Sequence, residues 1–143
     1  MKQYLKDWRV IMNDINPQHV FLVGAKSLGS YGGYETFINK LTEYHNDNTS
    51  IQYHVACKAN GEGYMDETRI EGVSDIVTDK QGDTIEFTYH NALCYKIKIP
   101  EALGPAQAIY YDVAALNKCC KCIEEQLLIS TCRQLIEKHD KLR

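Results

Sequence analysis

Gly24, Gly29, Gly32 and Gly33 punctuate a stretch, GAKSLGSYGGYE, that joins a short apolar run (HVFLV, 19–23) to an amphipathic segment beginning at Tyr34. A strand that turns into a helix through glycines presents backbone N–H groups and the positive end of a helix dipole, and glycines let a ligand approach the main chain closely. An anion, most often a phosphate, is the guest that suits such a loop. Two nucleotide-binding patterns do not fit. A P-loop needs Lys directly after its second glycine, but Ser30 follows Gly29; a GxGxxG loop needs glycine where Lys26 stands. The competing explanation for the glycines is tight turning alone. Glu35, in the first turn of the expected helix, either pairs with the helix dipole or hydrogen-bonds a sugar hydroxyl held at the loop. Tyr31, inside the loop, is placed either to stack on a sugar face or to pack beneath it.

The elements that position this loop follow from periodicity. His19 to Val23 reads as a buried strand. Tyr34, Phe37, Ile38, Leu41 and Tyr44 recur at helical spacing, and Asn46-Asp47-Asn48 ends that helix. Ile51 to Cys57 is a second strand, which makes strand, loop, helix, strand a βαβ unit with a right-handed crossover. The expected class is therefore α/β, doubly wound, with a mainly parallel sheet and helices on both faces. Gly61 and Gly63 mark a loop over 59–66. Thr84 to His90 and Leu93 to Ile99 form an expected hairpin across Asn91-Ala92. Gly104-Pro105 opens a long helix, with Ala106, Ile109, Tyr110, Val113, Leu116, Cys120 and Ile123 as its expected buried stripe. Leu127 to Thr131 is read as a further parallel strand, and 134–143 as a charged tail. Ahead of all this, Tyr4, Leu5, Trp8, Ile11, Met12 and Ile15 give residues 1–17 a helical stripe, either docked on the domain or lying at a membrane interface.

A chain of 143 residues suits one domain. A formal net charge of −3 without a basic stripe argues against nucleic-acid binding. There is no apolar run of ~18 residues and no signal-peptide core, so the six cysteines are expected as mostly free thiols in a reducing compartment, with the cytoplasm as location. Cys119, Cys120 and Cys122 cannot ligate one metal from a single helix, so no metal is expected; Cys120 is assigned to the core and Cys122 to the surface. His90 is either a general base at a strand end or a turn histidine.

The segment VFLVGAKSLGSYGGYETFINKLTEYH, with its Tyr31-Gly32-Gly33-Tyr34-Glu35-Thr36 signature, resembles the opening of rhamnosyltransferase-type GT-B glycosyltransferases of bacterial polysaccharide synthesis. KIKIPEALGPAQAIYYDVAAL, with Tyr111-Asp112, and YHVACKANGE are similar to later parts of the same amino-terminal domain. The resemblance covers most of residues 19–132. It implies a Rossmann-like half of a GT-B fold over 18–133, with 1–17 an extension and the second, donor-binding domain absent.

It further implies transfer of a deoxyhexose such as rhamnose from a nucleotide diphosphate sugar to a lipid-linked saccharide. Gly29, Gly32 and Gly33 would face the donor diphosphate, and Tyr31, Glu35 and Asp112 become substrate-binding candidates. No catalytic residue is assigned and no metal or cofactor is expected. The expected partners are the nucleotide sugar, the acceptor and a donor domain on a separate chain, with a peripheral contact at the inner membrane face as a further expectation. A lone half-site cannot exclude water or orient the donor, so the chain alone is expected to be nearly inactive. The alternative is a non-catalytic sugar- or nucleotide-binding module, or a subunit completed by another chain.

Overall fold

The computed structural model describes residues 17–28 and 32–141. Residues 1–16 of the expected helix over 1–17, and the roles given to Gly29 and Tyr31, fall outside that description. Among the described residues the sheet has five strands: β1 (Gln18–Leu22), β2 (Ile51–Lys58), β3 (Ser74–Thr78), β4 (Thr84–Tyr89) and β5 (Ala92–Ile97), in the order β1-β2-β5-β4-β3. β1 and β5 run parallel to β2, whereas β4 and β3 join antiparallel. The protein is thus α/β, but its sheet is mixed rather than mainly parallel, and β1 lies at its edge. The hairpin accounts for the difference. His90 adopts a φ of 51°, in the left-handed region where histidine is among the better-tolerated residues, and this turns β4 into β5 without a crossover. The turn falls one residue earlier than the expected Asn91-Ala92.

Helix α1 (Gly33–Tyr44) covers one face of the sheet. Val55, Cys57, Phe87 and Cys94, all on that face, form the core with Ile38 of α1 and with Ala25 and Leu28 from the glycine loop. Only Ile38 and Leu41 of the expected α1 stripe pack there; Tyr34, Phe37 and Tyr44 remain exposed, and Thr42 and Glu35 take buried positions instead. The long helix α2 (Gln107–Lys141) lies on the other face. Gly104, at φ 48° and ψ −125°, kinks the chain inside the 3-10 segment Glu101–Ala106 that precedes this helix, and only glycine takes such a conformation at low cost.

Three corrections concern α2. Its expected buried stripe is exposed: Ile109, Tyr110, Val113, Leu116, Cys120 and Ile123 are all open to solvent, and Ala106 is exposed in the segment before it. The residues that pack are Tyr111, Ala115 and Cys122, so the assignments of Cys120 to the core and Cys122 to the surface are reversed. The helix turns its polar-capable side inward because the sheet face beneath it carries polar atoms that need partners. Leu127 to Thr131 is helix rather than strand, and the helix runs on through the expected tail to Lys141. No glycine or proline follows Pro105, and Glu, Gln, Leu, Lys and Arg favour helix propagation. β3, which no sequence pattern marks, is short, exposed throughout and irregular in register.

Tyr111 joins α2 to the rest. Its side chain is buried, and its hydroxyl proton is shared between the carbonyl oxygens of Ala25, in the glycine loop, and Ala56, in β2 at 2.8 Å. Burial also pushes the phenol pKa up, so it stays a donor. Tyr111→Phe should leave both buried carbonyls unsatisfied and cost about 1–3 kcal/mol. A fall in the urea midpoint with unchanged m-value is the expected result.

Candidate functional site

The three parallel strands end at Leu22, Lys58 and Ile97, so the segments that follow them gather at one edge of the sheet. The first is the glycine loop. Gly24 takes a φ of 92°, which glycine alone adopts without strain. The loop then runs inward: Ala25, Ser27 and Leu28 are buried, the Lys58 N–H donates to the Lys26 carbonyl at 2.8 Å, and the Tyr34 hydroxyl donates to the Val23 carbonyl at 3.0 Å. The first half of the loop is therefore a fixed floor, not an open cradle.

Glu35 holds that floor to the helix. Its carboxylate is buried and accepts the Lys26 N–H at 3.0 Å, beside the amino-terminal end of α1. A Cβ at Gly32 would stand 2.8 Å from this carboxylate, while one at Gly33 would meet nothing within 4 Å. Of the two readings of Glu35, the observed geometry is the structural one, a carboxylate at the dipole's positive end tying loop to helix. Backbone open to a ligand is found at exposed Gly33 and, less so, at half-buried Gly32. Asp112 is exposed on α2, one residue from Tyr111, which reaches the loop.

The second and third segments, with the β3–β4 turn, enclose a cavity of about 380 Å³ that sequence reading missed. At it stands the ion pair between Lys96 and Glu67, 2.7 Å apart with side chains only 5 and 8 % exposed. The Lys96 ammonium also donates to the Met65 carbonyl and lies 5.9 Å from the centre of the exposed Tyr64 ring. Burial pushes the Glu67 carboxyl up, but hydrogen bonds from Lys96 and Thr84 and the charge of Lys96 outweigh it and leave the group below its usual range. Asp66, Asp79, Asp83 and Lys98 add further charged groups around the cavity. A ring face beside carboxylates and ammonium groups suits a polyhydroxylated ligand. The signal was weak in sequence, since Lys96 is one polar residue in an alternating strand and its partner lies 29 positions away.

His90 is not part of this edge. It sits at the β4–β5 turn, at the opposite end of β5, with its ring stacked on Tyr89 and Nδ1 3.2 Å from the Thr42 hydroxyl; burial lowers its pKa. Among the described residues no group of three or more His, Cys, Asp or Glu could hold a metal ion, and no helix is long and apolar enough to cross a membrane.

Under α2, His54 bridges the sheet face. Its Nε2 lies 2.7 Å from Nδ1 of His19 and its Nδ1 2.7 Å from the Tyr95 hydroxyl, which the Cys122 thiol approaches at 3.3 Å. Phe21 stacks on the same ring. Burial, then the charge of His19, lowers the His54 pKa to about 4.

A parallel βαβ unit with a buried glycine loop, extended by an antiparallel hairpin and flanked by helices on both faces, places the protein among α/β domains. Within that class the chain belongs to the family described as domain of unknown function (DUF1972), whose model matches residues 17–132. No curated protein and no solved structure matches the chain.

Two outcomes test this geometry. Gly32→Ala should displace the Glu35 carboxylate and cost about 1–2 kcal/mol, whereas Gly33→Ala should be neutral or slightly stabilising, read as opposite shifts in Tm. Because the folded-state pKa of His54 lies below its unfolded value, the unfolded chain binds the extra proton. Stability is complete above about pH 6.5 and falls as pH drops toward about 4, by at most ~1.4 kcal/mol per pH unit for this one group. Urea midpoints measured across that window should show a shallower slope in His54→Asn.

Proposed function

We propose that this chain is the acceptor-side, amino-terminal domain of a glycosyltransferase that moves a deoxyhexose such as rhamnose from a nucleotide diphosphate sugar to a lipid-linked saccharide. The observation that carries the reading is the pairing, at one edge of the sheet, of a glycine turn into a helix with a polar cavity that has an exposed aromatic ring beside it. The turn suits a diphosphate and the cavity suits sugar hydroxyls. The Tyr-Gly-Gly-Tyr-Glu-Thr motif supports the same assignment through its resemblance to rhamnosyltransferase-type GT-B enzymes.

In this reading Gly32 and Gly33, with Gly29, approach the donor diphosphate, and the helix dipole together with basic side chains supplies the charge stabilisation that a metal would otherwise give. Glu35 positions the loop rather than touching sugar. Asp112 stays a candidate for acceptor contact, since α2 carries it beside the loop. The sheet edge left by β1 is where a doubly wound, Rossmann-like sheet would continue, and the second half of the donor site comes from another domain. Transfer therefore needs that domain.

Thermal-shift measurement of the chain with nucleotide diphosphate deoxyhexoses, free oligosaccharides and inorganic phosphate tests the proposal. Sugars or nucleotide sugars should raise Tm by several degrees at saturating concentration, and phosphate alone should not. Tyr64→Ala should remove the saccharide shift. A response to phosphate alone, or to none of the three, overturns the reading.

A further inference from the structure

The contact line from edge strand β1 to α2 passes through one buried ring. His54 Nε2 stands 2.7 Å from Nδ1 of His19, and His54 Nδ1 stands 2.7 Å from the Tyr95 hydroxyl, which lies 3.3 Å from the Cys122 sulfur. Cys122 is the last buried residue of α2 among those described, so this line ends at the far anchor of the helix. The near anchor is Tyr111, held by the Ala25 and Ala56 carbonyls.

The line carries one proton per contact when both rings are neutral. The Cys122 S–H can donate to the Tyr95 oxygen, the Tyr95 O–H to His54 Nδ1, and the His54 Nε2–H to His19 Nδ1. Burial pushes the Tyr95 pKa up, so the phenol keeps its proton. A further proton has no place. On His54 it turns Nδ1 into a donor and removes the acceptor of the Tyr95 O–H. On His19 it sets one N–H against another, and the line must reverse: Tyr95 then donates to sulfur, a weak acceptor, and the Cys122 S–H loses its partner. In both cases the surplus donor emerges between Tyr95 and α2.

The surroundings do not absorb the charge. Around the ring stand His19 from β1, Tyr95 from β5, Glu86 from β4, and Lys118, Cys122 and Glu125 from α2. Lys118 already takes the Glu86 carboxylate at 2.9 Å, and its ammonium lies 4.7 Å from the centre of the Tyr95 ring. Glu125 is exposed, where water screens it. An imidazolium at His54 therefore adds a cation to an interface that already holds one.

We propose that this line is an acid-sensitive latch: proton uptake by the His19–His54 pair frees α2 from the sheet from Lys118 onward, while Tyr111 keeps the start of the helix in place. The acceptors of Tyr111 are backbone carbonyls, which do not titrate. Burial lowers the pKa of both rings, so the closed latch is the proton-poor form. Release returns His54 to the ordinary histidine range; the latch is closed above about pH 6.5 and gives way as pH falls toward about 4. It acts under α2 and needs no ligand at the strand ends.

Hydrogen–deuterium exchange of the full chain at about pH 7 and about pH 4.5, each corrected for the intrinsic rate of an unstructured chain, is the experiment. Protection of residues 118–126 should fall at least tenfold at the lower pH, while that of 111–117 and of β2 changes less than about threefold. His54→Asn should remove the difference. Tyr95→Phe, which keeps both rings but cuts their connection to α2, should remove it too. Near-ultraviolet circular dichroism at about pH 7 shows which variants keep the native fold. Equal protection of 118–126 at the two pH values in the wild-type chain overturns the proposal. So does a loss shared by 111–117 and β2, which is general unfolding, or a pH dependence that survives in either folded variant.

Discussion

One phenol hydroxyl holds the two layers and the loop together. Tyr111 shares its proton between the Ala25 carbonyl, in the glycine loop, and the Ala56 carbonyl, in β2. Buried carbonyls without donors are costly, and neither the sheet ladder nor a helix supplies a partner at the point where β1 gives way to its loop. The tyrosine that meets this need also decides which side of α2 faces the sheet. With Tyr111 inward, Ala115 and Cys122 follow at helical spacing, and Lys118 reaches Glu86 at 2.9 Å on the way.

The same contact shapes the candidate site. The loop is bound from below by Tyr111, from the side by the Lys58 N–H and from the helix by Glu35, so its first half is rigid and buried. Among the described loop residues, Gly32 and Gly33 leave backbone for a ligand to approach, and the cavity across the strand ends is a second opening. In the proposed function, a floor already held in place leaves little ordering to be done on binding.

The two faces of the sheet differ in chemistry. The α1 face is an apolar core closed by Phe87, Val55 and Ile38. The α2 face carries a polar line, His19, His54, Tyr95 and Cys122, in which each member partners the next. Low dielectric strengthens such a network only when every member is satisfied, and burial in it lowers the His54 pKa. A helix anchored through few contacts on this face keeps most of its own apolar surface outward.

Local order was legible in the sequence. Strand, glycine loop, helix and strand over 18–58, the hairpin near 90 and the helix start after Gly104 were all read from periodicity and turn chemistry, which depend on neighbours a few residues apart. Periodicity misled where two answers shared a pattern. The 3.6-residue repeat found an apolar stripe on α2 but could not tell whether the domain itself covers it, and Leu127 to Thr131 reads as strand or helix until its flanks are weighed. The role of Glu35, the pairing of Lys96 with Glu67 and the inward turn of Tyr111 were decided only by tertiary structure. Each depends on a partner brought close by folding, and on a need for hydrogen bonds that arises only once water has been excluded from the sheet faces.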